Sequence, residues 1–168
     1  MSDVVIRQAT VEDLEAARSV IIETWRTTYV PIHGGAKVED IISRWHSPQN
    51  IEQQIGSKDA LFGVATLNGQ CVGHVYAAEN EGLLKIHRLY VLPAAQGAGV
   101  GRQLMDFALG TYPHARDVTL EVDEANQAAI AFYQHLGMAI SGSTPCCGDD
   151  SDIPALIMSV PRQELRTN

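Results

Sequence analysis

The chain has 168 residues, a length that fits one domain and can bury a core without disulfides or a structural metal. Hydrophobic residues make up 45% and charged residues 19%, as in ordinary soluble globular proteins, and no apolar run approaches the roughly 20 residues that span a bilayer. The net charge of −8, with no cluster of Lys and Arg, argues against a nucleic-acid partner.

"VVIRQAT" (4–10) reads as a short strand ending at Thr10, and Thr10 with Asp13 makes a loose capping box. Leu14, Ala17, Val20, Ile21 and Trp25 recur at helical spacing, which predicts a helix to about Trp25. "VPIHGGAK" breaks that pattern with Pro31 and two glycines, and "KVEDIISRW" and "PQNIEQQIGS" read as two shorter helices. The rhythm then changes to strands. "ALFGVATL" and "CVGHVYAAE" are joined by Asn68-Gly69, a strong hairpin signal because both positions tolerate positive φ. "LLKIHRLYVLP" is a third strand stopped by Pro93. A helix follows from about Gly99 to Leu109, with Val100, Leu104, Phe107 and Ala108 on one apolar stripe. "DVTLEVD" is a strand and "NQAAIAFYQHL" a helix ending at Gly137, a left-handed cap. Two last strands, "MAISGS" and "PALIMSVP", flank the polar turn "PCCGDDSD". Without repeats or linkers, residues 1–168 read as one α/β domain.

Two features of that turn carry little chemistry. Cys146 and Cys147 are adjacent and, with Cys71, odd in number, a poor start for a disulfide framework or a zinc site. A calcium loop beginning at Asp150 would reach Pro161, where it needs glutamate. The expectation is reduced thiols and no metal. Because "MSDVVIRQAT" also lacks a basic region followed by an apolar stretch, a cytoplasmic location is expected.

"QGAGVGRQLM" (96–105) is the stretch that points to chemistry. Three glycines in six positions cost stability unless something approaches the backbone closely. They stand between a strand and a helix, whose first N–H groups lack internal partners and carry the positive end of the dipole. A loop stripped of side chains lets those donors converge on a phosphate. The P-loop pattern fails because Arg102-Gln103 follows Gly101. The dinucleotide pattern fails because Arg102 and Leu104 occupy the last glycine positions, even though Glu121 could imitate the ribose-binding acid.

The spacing that fits is Gln96-x-x-Gly99-x-Gly101 after "LYVLP", followed 30 residues on by "NQAAIAFYQHLGM" (126 against 96). In these motifs, and from "IRQATVEDLEAA" to "ALIMSVP", the chain resembles the GNAT superfamily of acyl-CoA-dependent N-acetyltransferases. The resemblance implies a mixed, mostly antiparallel twisted sheet flanked by helices, with a splayed central strand pair that receives the cofactor. It implies acetyl-CoA as cosubstrate, its pyrophosphate wrapped by Gln96, Gly97, Ala98, Gly99, Val100, Gly101 and Arg102. The backbone of Leu89 and Val91 would pair with the pantetheine, and an amide near Leu89 or Tyr90 would hold the oxyanion. Asn126 would reach the cofactor as well as cap its helix. Tyr133 matches the tyrosine that protonates the departing thiolate.

The general base departs from the family pattern. Many relatives carry glutamate where this chain has Lys85. Alternation along the strand places Lys85, His87 and Leu89 on one face, and His87 has a suitable pKa for a base near neutrality. Glu79, Glu81 and a water chain are its rivals. The other histidines (33, 46, 74, 114 and 135) read as surface or hydrogen-bonded residues. "ETWRTTYVPIHGG" resembles the segment forming one wall of the acceptor pocket, where Trp25, Tyr29 and His33 can line it, although Trp25 also reads as core. The implied reaction is acetyl transfer to a primary amine by direct attack in a ternary complex. The expected acceptor is a small-molecule amine. A protein amino-group acetyltransferase and a non-catalytic acyl-CoA sensor are the alternatives, and a homodimer stays open.

Overall fold

A computed structural model of the chain describes residues 3–145 and 153–166. Asn68 and Gly69 adopt φ of 52° and 81°, the left-handed values a two-residue hairpin needs. They join β2 (Leu61–Leu67) to β3 (Gln70–Asn80) with Leu67 opposite Gln70. With β1 (Val4–Gln8), β4 (Leu83–Val91), β5 (Asp117–Asp123), β6 (Ala139–Pro145) and β7 (Pro154–Pro161) they form one sheet, in the order β1-β2-β3-β4-β5-β7-β6. Only β4 and β5 pair in parallel. That parallel register runs from Leu83–Ile86 against Asp117–Leu120 and goes no further. Beyond Ile86 the strands diverge, giving the splayed central pair. Residues 146–152, with Cys146, Cys147 and the start of the rejected calcium loop, lie outside the described residues.

Helices cover both faces. Helix α4 (Val100–Thr111) and α5 (Gln127–His135) close one core around Leu84, Ile86, Leu104, Met105, Leu120 and Tyr133. Helices α1 (Leu14–His33), α2 (Gly35–Trp45) and α3 (Pro48–Gly56) close the other around Ile21, Trp25, Val38, Ile51 and Phe62. Each core buries branched and aromatic side chains to within a few per cent of full burial, the main driving force for this layering.

Two sequence expectations need correction. Helix α1 does not stop near Trp25 but continues through Pro31 to His33. Pro31 has no N–H to give the Thr27 carbonyl, yet burial of Tyr29 against the α1–α3 core outweighs one bond lost in the last turn. The helix ends at Gly34, whose φ of 87° no helix accepts. The second correction concerns β4. Tyr76 of β3 faces Arg88 but Ala77 faces Ile86, so His87 is an extra residue in a β-bulge. Simple alternation therefore fails across it. Leu84 and Ile86, then Leu89 and Val91, pack toward α4 and α5, whereas Tyr90 packs toward α1–α3. Lys85, His87 and Leu89 do not share a face.

Candidate functional site

One cavity of about 1000 Å³ runs from the glycine loop, through the splay of β4 and β5, to the space beneath α1–α3. At its first end, Gly99 caps α4 with φ 80° and Gly97 holds φ 86°, conformations that side chains rarely adopt. A Cβ on either would meet only open space or the tip of Gln103, so the backbone stands clear for a ligand. Gly101 serves another need: its Cβ would lie 3.0 Å from the Phe132 ring, so α4 and α5 pack this closely only without one. The first intrahelical bond of α4 runs from Gln103 N to Gly99 O, leaving the amides of Gly101 and Arg102 without a carbonyl inside the helix. Gln96 spends its side chain on the loop itself, donating through Nε2 to the Val91 carbonyl at 3.1 Å. The loop is thus pinned to the end of β4.

These features fit a pyrophosphate followed by an extended arm. Open glycines and free helix-terminal amides suit the anion. The edge of β4 beyond Ile86, unpaired with β5, offers main-chain groups to the arm. Gln96, Gly97, Gly99, Val100, Gly101, Arg102, Leu89, Val91 and Asn126 all line the cavity; Ala98 is exposed outside the lining. Asn126 accepts from Ala129 N at 3.2 Å, capping α5, and donates through Nδ2 to the Tyr29 hydroxyl at 3.2 Å. Its two side-chain atoms are therefore engaged within the protein.

Tyr133 also lines the cavity and is 7% exposed. Burial, and secondarily Tyr90, raises its phenol pKa well above the usual range, so it remains a proton donor. His87 stands exposed at the bulge, with its ring 5.4 Å from that of Tyr76. Partial desolvation, then the charges of Lys85 and Arg88, hold its pKa below the ordinary value and favour neutral imidazole. Lys85 pairs at 3.3 Å with Glu121 of β5, which faces the same cavity. A carboxylate that β4 lacks at position 85 is present across the splay. Glu79 at the end of β3 and Glu81 in the β3–β4 turn lie outside the cavity, and Glu79 accepts from Gly82 N at 2.8 Å.

The second end is built from side chains. Trp25 and Tyr29 pack with ring centres 4.4 Å apart and planes tilted by 39°, and line it. His33 lies behind them, bonded through Nε2 to Asp123 Oδ2 at 2.5 Å, and Asp123 reaches the lining. His74 is buried and hydrogen-bonded to the Gly63 carbonyl at 3.1 Å, while His114 and His135 are exposed. His46 departs from expectation, being buried with Nδ1 lacking any partner. Burial and the nearby charges of Arg88 and Arg18 depress its pKa to about 3, so it is neutral. The sequence reading weighed Glu121 only as an imitator of a ribose-binding acid, and it missed Asp123 as well as Arg88, Gln54 and Thr24 beneath α1–α3. One signal was available: the apolar positions of β4 slip from even (84, 86) to odd (89, 91), which marks the bulge that turns Arg88 inward.

Residues 21–138 match the acetyltransferase (GNAT) family. The chain is 27% identical over 106 residues to the peptidyl-lysine N-acetyltransferase YjaB of Escherichia coli (strain K12), covering 63% of this chain and 60% of that protein. It is 35% identical over 95 residues to the peptidyl-lysine N-acetyltransferase YiaC of the same strain, covering 56% and 59%. It thus spans about three fifths of the length of these curated relatives. The crystal structure of PaiA N-acetyltransferase from Thermoplasma acidophilum in complex with coenzyme A has the same fold. The TM-score is 0.79 over 95% of this chain and 99% of that one, at 23% identity.

Proposed function

We propose, on the premise that the chain belongs to the GNAT acetyltransferase family, that it transfers acetyl from acetyl-CoA to a primary amine within a ternary complex. The observation that carries this reading is the single cavity joining the glycine loop, the β4–β5 splay and the pocket beneath α1–α3, with Tyr133 in its wall. Acetyl-CoA supplies the thioester carbonyl and a thiol leaving group. The loop from Gln96 to Arg102 holds its pyrophosphate, and the free edge of β4 at Leu89 and Val91 holds the pantetheine. Tyr133 protonates the departing sulfur, a role suited to a phenol that stays protonated throughout the working range. His87, kept neutral by partial desolvation and cationic neighbours, accepts the amine proton. Glu121 is the second candidate for that proton, because it faces the cavity across from β4. Direct attack is favoured because Cys71 lies outside the cavity lining and offers no nucleophile there.

The acceptor is a small amine. In support, the second end of the cavity is lined by Trp25, Tyr29 and His46, side chains buried beneath the helices. A protein lysine is the alternative, favoured by the activities for which YjaB and YiaC are named.

Thermal denaturation with cofactors and a thiol-release assay test the reading together. Acetyl-CoA or CoA should raise the melting temperature, since a ligand at a hundredfold excess over its dissociation constant adds about 2.7 kcal/mol, whereas NAD and ATP should not. Thiol release should depend on the amine supplied. A cofactor shift without thiol release from any amine or lysine peptide would identify an acyl-CoA sensor instead.

A further inference from the structure

Among the described residues, Arg88 is a buried cation without a counter-charge. Its side chain leaves only 9% of the residue exposed, and no carboxylate pairs with it among the described residues. Nε donates to His74 Nε2 at 3.2 Å, and one terminal nitrogen donates to Gln54 Oε1 at 2.5 Å. Both partners are neutral, because burial first and Arg88 second push the His74 pKa far below its ordinary value. Aromatic faces supply the rest of its company: Tyr76 lies 4.8 Å and Phe62 5.9 Å from the guanidinium carbon. Of five N–H donors on a guanidinium, two are used, so three remain.

The surroundings repeat the pattern. His46 Nδ1 and Thr24 Oγ1 are buried without hydrogen-bond partners, and both residues line the same cavity as Arg88. The acids on that cavity are already engaged, Glu121 with Lys85 and Asp123 with His33. Buried charges and buried polar atoms left unsatisfied each cost free energy, so a group of them around one cavity points to a missing partner.

We propose that Arg88, with His46 and Thr24, forms an acceptor subsite for a carboxylate, and that the acceptor is a small amine carrying that carboxylate. This rests on the acetyl-transfer reading above. A guanidinium fork matches the two oxygens of a carboxylate, and the neutral imidazole and hydroxyl add hydrogen bonds without adding charge. One cation with neutral helpers suits a monoanion. A phosphate dianion would call for a second cation, and Lys85 is occupied by Glu121.

The test is a set of paired acceptors. Glycine, β-alanine, 4-aminobutyrate, 5-aminovalerate and lysine are each compared with the amine lacking the carboxylate, and a lysine peptide blocked at both ends is included. With acetyl-CoA and wild-type protein, the best acid should exceed its decarboxylated partner by about 100-fold in kcat/KM, the scale of a charged hydrogen-bonded contact. Chain length of the preferred acid then reads the reach from Arg88 to the thioester. In Arg88→Gln the advantage should disappear while the CoA-dependent thermal shift remains. The wild-type pairs decide the matter even if that variant does not fold.

Equal turnover within the pairs, or preference for the blocked peptide, overturns the carboxylate subsite and leaves acetyl transfer standing. Absence of both thiol release and any CoA shift overturns acetyl transfer itself. In a protein that binds CoA but releases no thiol, melting with glutarate and butyrate decides: stabilisation of wild type upholds the carboxylate site, and its absence overturns it.

Discussion

Along α4 the cavity wall is main chain: the amides and left-handed glycines of residues 96–102, backed by the free edge of β4. Beneath α1–α3 the wall is side chain: Thr24, Trp25, His46, Gln54 and Arg88, contributed by α1, the end of α2, α3 and β4. The first wall asks its ligand only for negative charge and an extended backbone-like arm. The second asks for particular functional groups, because each unsatisfied atom has a fixed position and donor character. A main-chain site can therefore serve one cofactor across many sequences, whereas a side-chain site discriminates among acceptors.

The sharpest way to break this contrast is at the glycines. Gly99→Val forces a branched residue into φ 80°, a conformation costing about 1–2 kcal/mol, and projects a side chain into the space left for the pyrophosphate. Gly101→Val drives its Cβ into the Phe132 ring, 3.0 Å away even for alanine. Both variants should lose the CoA-dependent thermal shift. Gly101→Val should also lower the melting temperature of the free protein more than Gly99→Val, since only Gly101 serves α4–α5 packing. Full cofactor stabilisation in both would reduce the loop to a turn, and the main-chain wall with it.

The same contrast explains what could be read before the fold was known. Glycine conformations, the Asn68-Gly69 hairpin and the Asn126 cap are local, so contiguous residues announce them. The end of α1 misled because helix termination was judged from Pro31 and the glycines after it, whereas burial of Tyr29 is a tertiary effect. Arg88 sits between Arg-tolerant surface and core in any one-dimensional pattern. Its burial follows from the bulge at His87 together with Gln54, Phe62 and His74, residues up to 34 positions away. Sequence shows the glycine motif at the start of α4; assembly of distant segments makes the side-chain end of the cavity.

Where the two walls meet, Tyr133 and His87 should separate binding from chemistry. Tyr133→Phe keeps the buried ring, so the CoA shift should persist while turnover falls about 100-fold. If His87 is the base it acts in its neutral form, and its lowered pKa keeps it neutral to lower pH. The wild-type rate should thus fall only as pH drops through a value below the ordinary ~6.5 for histidine. His87→Gln should lower the plateau and abolish that acid limb. If the limb survives in His87→Gln but is lost in Glu121→Gln, the proton goes to Glu121. Unchanged turnover in Tyr133→Phe would return that tyrosine to the core.

The smallest effect lies at a hydrogen bond that ties the walls together, Asn126 Nδ2 to the Tyr29 hydroxyl. Tyr29→Phe keeps the ring packing on Trp25 and the cap from Asn126 to Ala129 N, but removes the partner of the half-buried amide donor. The expected cost is about 1 kcal/mol, a fall of roughly 2–4 °C in melting temperature for a domain of this size. Asn126→Ala removes the cap as well and should cost about 1 kcal/mol more. If the walls act separately, Tyr29→Phe raises KM for the amine and leaves KM for acetyl-CoA unchanged, while Asn126→Ala raises both. Equal changes in both constants for Tyr29→Phe would show that α1 and α5 move as one unit, and that the acceptor wall also positions the cofactor.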